Sequence, residues 1–119
     1  MNVVTDPVTK EMLIEALQKL GVSSKQILEV HASLSSFHNV IGGARTVVDA
    51  LIELAGDTGT ILMPTQSCDN SEPSDWENPA VAPELYRTVR EAIPPFDASK
   101  SDILYMGAIA ENFRHRDGV

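Results

Sequence analysis

The chain has 119 residues, 43% of them hydrophobic and only one of them cysteine, so one modest globular domain is expected, without an internal disulfide or a cysteine-built zinc site. Asp plus Glu number 17 against 9 for Lys plus Arg, a formal net charge of −8 that disfavours nucleic acid and anionic membrane surfaces and would suit a polycationic ligand. No apolar run approaches the roughly 18 residues of a membrane span, and the N-terminus lacks the basic-then-apolar pattern of a secretory signal, so a cytoplasmic protein is expected.

Thr9 is placed to cap a helix over about Lys10 to Leu20, with Leu13, Leu17 and Leu20 on one face and Ile14 and Ala16 widening it. Gly21 supplies the stop. Ile27, Leu28 and Val30 then favour a buried strand, after which the chain changes character at His31 into a loop of small and hydroxylic residues: Ala32, Ser33, Ser35 and Ser36, with Leu34 and Phe37 between them. Gly42-Gly43 leads into a second helix over about Ala44 to Ala55. Its two apolar stripes, Val47-Leu51-Leu54 and Val48-Ile52-Ala55, predict that most of its circumference is covered, and Arg45, Asp49 and Glu53 read as a solvated charge ladder on the rest.

Asp57-Thr58-Gly59 is a turn, and Thr60 to Met63 reads as a strand of the kind buried on both faces in a parallel sheet. Strand, helix and strand make a right-handed βαβ unit, which opens both strand ends on one edge and brings His31 and Thr65 to the same rim. In open α/β sheets ligands sit there, among free backbone N–H groups and helix N-termini. Ordinary loop and capping chemistry is the simpler account of these serines and glycines taken alone, since neither GxGxxG nor GxxxxGK[ST] is present. His31 as a hydrogen-bonded strand-end residue and His38 as a solvated one stay open beside any role in a site.

From Cys68 to Pro83 the sequence predicts a long loop with Asp69, Glu72, Asp75 and Glu77 interleaved with prolines, pinned by Trp76 or presenting it to a ligand. Cys68 has no neighbouring cation to activate it and reads as incidental. Pro83 opens a third helix, with Leu85, Val89 and Ala92 on one face, that Pro94-Pro95 stops. Ile103 to Tyr105 is a brief apolar run, and Met106-Gly107 leads into a last helix with Ile109 and Phe113 inward.

The ordered set HASLSSF, IGGARTVVDALIELAG, GTILMPTQS, EPSDWENPAVAPELY, PPFD and MGAIAENFR resembles the aminoglycoside 3-N-acetyltransferase family over nearly the whole chain. The resemblance implies an α/β fold with a mainly parallel sheet flanked by helices, the chain being the N-terminal part of a larger single α/β/α acetyltransferase domain. It implies direct acetyl transfer from acetyl-CoA, without a metal, to an amino group of an aminoglycoside antibiotic or another polyamine. His31, Ser33, Leu34, Ser35 and Ser36 match the family loop that contacts the cofactor, with Thr65, Met106 and Gly107 lining the same groove, and Asp69, Glu72 and Asp75 are candidates for the substrate's ammonium groups.

Family members continue for about as many residues again, and the resemblance puts the catalytic histidine and acidic residue there, so no catalytic residue is assigned within residues 1–119 and the chain alone is expected to be inactive. The alternatives are a CoA-binding homologue or an N-acetyltransferase for a different amine; a serine hydrolase is weaker, because no GxSxG surrounds the loop serines. The chain departs from the family pattern at His38 and Asn39, where glycine and an aromatic are common, and at Ala32, where serine is frequent. Oligomeric state is not legible.

Overall fold

In the computed structural model, which describes residues 3–119, strand β1 (Pro7–Val8) leads through Thr9 into helix α1 (Lys10–Lys19), then strand β2 (Ile27–Glu29), strand β3 (Asn39–Val40), helix α2 (Gly43–Ala55), strand β4 (Thr60–Leu62), helix α3 (Tyr86–Ala92) and helix α4 (Gly107–Arg114). The chain divides into two compact units, residues 3–65 with 106–119 and residues 66–105.

The first unit is built on α2. Val47, Val48, Ala50, Leu51, Leu54 and Ala55 are all buried on it, and Val48 is wholly shielded from solvent. Leu13 of α1 packs on one side and Ile109 and Phe113 of α4 on another, closing one apolar cluster with Val8, Val30, Leu34, Phe37 and Ile61 around it. Burying each such aliphatic side chain contributes about 1.5–3 kcal/mol, so α2 is the element without which this unit does not hold. The Thr9 hydroxyl accepts from the Met12 amide at 3.3 Å, so α1 starts where a capping residue predicts.

β2 and β4 pair in parallel, Ile27 with Thr60 through Glu29 with Leu62, as a βαβ unit requires. A second parallel pair, β1 with β3, in which Pro7 faces Asn39 and Val8 faces Val40, is not expected from the sequence. Two-residue strands carry no periodicity to read.

Four expected burials fail. Leu20 is 81% exposed, because α1 ends at Lys19 and Leu20 succeeds the helix as its cap. Ile52 lies at 42% on the rim of the apolar stripe of α2, and Leu62 at 51% on the open face of β4 together with Ile27 at 75% on β2, so this ladder is covered on one face only. The ladder of charges on α2 is also more than a solvated face: Lys10 of α1 pairs with Glu53 at 2.9 Å, and Arg116, just past α4, pairs with Asp49 at 2.8 Å and donates to the Arg45 carbonyl at 3.3 Å. These bonds fasten both neighbouring helices to α2 at its polar edge.

The second unit has little regular structure. Its loop is interrupted by one 3-10 turn at Pro73–Asp75, and another, Pro83–Leu85, precedes α3, so Pro83 opens a 3-10 turn rather than α3 itself. Ile103 to Tyr105 forms no strand. Pro73 is buried, and the Arg90 guanidinium of α3 reaches back to Glu72, donating from Nε to both carboxylate oxygens at 3.1 and 3.0 Å. No helix among the described residues is long and apolar enough to cross a membrane.

Candidate functional site

At the end of β2 the Val30 amide still donates to the Leu62 carbonyl, at 2.9 Å, and the chain then leaves the ladder at His31. His31 turns its Nε2 to Glu29 Oε1 at 2.9 Å, which fixes the ring and leaves Nδ1 as its outward face. Residues Leu34–Phe37 form a 3-10 turn whose apolar members, Leu34 and Phe37, pack on the core, while Ser33, Ser35 and Ser36 are exposed. Alternation in so tight a turn sends the hydroxyls to one side, and Ser33 Oγ lies 3.0 Å from Ser35 Oγ. The turn ends at His38 with φ 59° and ψ −119°, a backbone state that side chains rarely adopt.

Two helix starts serve the same unit. α2 begins after Gly42, at φ 88°, where a Cβ would collide with Thr46 Oγ1; only glycine fits, and the Thr46 hydroxyl donates to the Ile41 carbonyl at 2.6 Å. α4 begins at Gly107, φ 80°, whose open side is 3.9 Å from the Ala32 carbonyl. Neither helix has a side-chain cap or an acidic residue in its first turn, so their leading N–H groups and positive dipole ends are unspent. A phosphate or a thioester carbonyl is the chemistry such donors serve.

Of the residues singled out from the sequence, His31, Ser33, Leu34, Ser35 and Ser36 are thus one continuous feature of the first unit, and Gly107 stands beside Ala32 within it. Thr65 is exposed, three residues beyond the end of β4 on the edge where β2 also ends. Leu34 serves the core as well as the loop.

Asp69, Glu72 and Asp75 belong to the second unit and differ in their surroundings. Glu72 is held by Arg90, whose hydrogen bonds keep its carboxyl at about 2, well below the usual range. Asp69 and Asp75 border a cavity of about 280 Å³ with Trp76, Glu77 and Tyr105. Tyr105 is a residue that sequence reasoning passes over as part of an apolar run, and its exposure is what draws notice to it.

A model of the aminoglycoside 3-N-acetyltransferase family matches residues 30–119. The chain belongs to this family.

Among its relatives is the SPbeta prophage-derived aminoglycoside N(3')-acetyltransferase-like protein YokD of Bacillus subtilis (strain 168), 40% identical over 111 residues, which are 92% of this chain and 41% of YokD. The crystal structure of YokD superposes with a TM-score of 0.88 over 96% of this chain and 43% of that one. AAC-IIIb, in a binary structure with CoASH, is 28% identical with a TM-score of 0.75, and AAC-VIa bound to sisomicin is 32% identical with a TM-score of 0.76; each match covers 95% of this chain and 41% of the other. The chain therefore spans about two fifths of the length of the family members it matches, and within that span the α/β fold is theirs.

Proposed function

We propose that these residues are the N-terminal, cofactor-holding part of an aminoglycoside 3-N-acetyltransferase, with Ser33, Ser35, Ser36, Thr65, Met106 and Gly107 meeting acetyl-CoA, His31 and Leu34 shaping the loop, and acidic side chains of residues 66–105 meeting the amine. The observation that carries the reading is the exposed hydroxyl turn after β2 with the uncapped start of α4 beside it. Those donors suit a polyanionic cofactor, and no acidic side chain lies between Ala32 and Ile41 to oppose it. AAC-IIIb with CoASH and AAC-VIa with sisomicin supply the ligand classes.

When bound, acetyl-CoA supplies the activated acetyl group. The chain's own contribution is to hold that molecule and to keep hydrogen-bond donors where a carbonyl oxygen gains charge, which is worth more in a dry site than in water. The acceptor amine must also lose a proton, since an ammonium has no lone pair to attack with. Within these residues only histidine suits that task near neutral pH. His31 is bonded to Glu29, and His115 lies at the far end of α4 from Gly107, bonded to Glu111 at 2.9 Å. We therefore assign the base to polypeptide outside these residues and expect the chain by itself to bind without transferring.

Calorimetric titration with coenzyme A tests the assignment. Saturable binding, weaker for dephospho-coenzyme A and weaker again for pantetheine, is expected; equal heats for all three would remove the phosphate-binding role of the helix starts.

A further inference from the structure

Residues 66–105 carry eight carboxylates and three cations, and all three cations are engaged: Arg87 with Glu91 at 2.7 Å, Arg90 with Glu72, and Lys100 with Asp97 at 3.3 Å. Asp69, Asp75 and Glu77 are among the carboxylates left over, and all three line the 280 Å³ cavity. Among the described residues none of the three forms an ion pair. Charge alone would make this no more than a solvated acidic surface, but two aromatic residues line the same cavity.

Trp76 is half-buried with its Nε1 donating to Ser71 Oγ at 2.8 Å, a bond that fixes the indole edge and sets the plane of the ring. Tyr105 is its opposite in burial, 93% exposed, and its φ of 61° is a left-handed conformation that residues other than glycine and asparagine adopt at a cost. Core packing does not explain a strained backbone under a side chain that almost nothing covers. A tyrosine held open to water at the wall of a cavity is a surface suited to a flat, partly apolar partner.

We infer that Trp76 and Tyr105 are the ring-binding walls of a subsite for a single amino-sugar ring, with Asp69, Asp75 and Glu77 receiving its ammonium groups. An amino-sugar ring presents apolar C–H faces and cationic substituents together, and aromatic faces attract both. The cavity lies just under the about 300 Å³ at which small-molecule pockets begin, which is room for one ring of an aminoglycoside and not for all of them. A flexible polyamine would use the carboxylates and leave the rings idle. The inference rests on the acetyltransferase reading for the class of acceptor and adds to it which side chains discriminate a ring from a chain of amines.

Trp76 is the only tryptophan, so its emission reports on this cavity directly. Sisomicin and spermine, titrated at low salt into the 119-residue chain, are the probes. Sisomicin is expected to change the Trp76 emission saturably. Tyr105→Ala and Tyr105→Leu should each weaken sisomicin by roughly three- to thirtyfold, the range a cation and ring face contribute, while Tyr105→Phe stays within about twofold and spermine is weakened by less than about twofold in all three. Circular dichroism melting of each variant should match the parent, because the side chain is exposed. A Tyr105→Leu variant that binds sisomicin as the parent does, an equal loss for spermine, or no saturable change in Trp76 emission overturns the inference. Coenzyme A titration in parallel separates the two readings: retained cofactor binding with any of those results overturns the ring subsite alone, and loss of both overturns the acetyltransferase reading with it.

Discussion

The Val30 amide and the Leu62 carbonyl, 2.9 Å apart, tie the ends of two strands that are separated by a loop, a helix and a turn in the chain. Because the pairing is parallel, both strands end on the same edge, and the segments that leave them, His31 to Phe37 from β2 and Pro64-Thr65 from β4, are delivered to that edge. The buried stripe of α2 makes the arrangement rigid, since it packs on the strands from one side and on α1 and α4 from the others.

Truncating the middle of that packing should therefore be costly. Ile109→Ala, at a side chain 1% exposed, is expected to lower the unfolding free energy by about 3 kcal/mol, from lost burial plus the cavity left behind. Urea unfolding followed by circular dichroism reads the change; a loss below about 1 kcal/mol would mean that α4 is not integral to the core.

How much of this is legible in the sequence depends on range. α2 can be read almost to its ends because a 3.6-residue apolar period over thirteen residues and a closing glycine are local signals. The exposure of Leu20, Ile27, Ile52 and Leu62 cannot, because a sequence shows that a face is apolar and not what lies against it. The grip of Arg90 on Glu72 crosses 18 residues, and the β1 with β3 pair is two residues long, so neither leaves a pattern. At the candidate site the hydroxyl-rich turn is visible as composition, whereas Tyr105 looks like part of an apolar run until its backbone angle and exposure are known.

His38 occupies a backbone state suited to glycine, which is the residue the family commonly has there. His38→Gly should relieve strain of about 1–3 kcal/mol and lose about 0.5–1 kcal/mol to the freer unfolded chain, a net gain near 1 kcal/mol. Thermal unfolding checks the sign: a lower midpoint would show that the imidazole makes a stabilising contact that outweighs the strain.

The Arg90 and Glu72 pair gives the second unit a pH dependence with a defined direction. Glu72 is held at about 2 against an ordinary 4.5, so the unfolded chain takes up a proton there before the folded one does. The stabilisation is present in full above about 4.5 and is lost as pH falls toward 2. Arg90→Gln should return the titration of Glu72 toward 4.5, read by carboxyl carbon NMR, and hydrogen exchange in residues 66–105 should then be as fast at neutral pH as it is in the parent in acid. An unchanged Glu72 titration would mean that the pair does not form in solution.

Replacing Ser33, Ser35 and Ser36 together by alanine should weaken coenzyme A binding through the loss of several hydrogen bonds of about 0.5–1.5 kcal/mol each, without unfolding the chain, since all three are exposed. Titration calorimetry decides it, and an affinity equal to the parent's would make the serines ordinary turn residues.

A thiol-release assay with acetyl-CoA and sisomicin should give no amine-dependent release above the control without protein. Release well above that control would place a base within these residues, and the bonded pair of His31 and Glu29 would be the first candidate for it.

The turn after β2 and the start of α4 together hold the cofactor in this account, and amide NMR of the 119-residue chain titrated with coenzyme A tests that most directly, because it reports position as well as affinity. Saturable shifts concentrated at residues 31–37, Thr65, Met106 and Gly107 are predicted. Shifts concentrated instead among residues 66–105, around Pro94, Pro95 and Lys100 for example, with the turn after β2 unmoved, would contradict it.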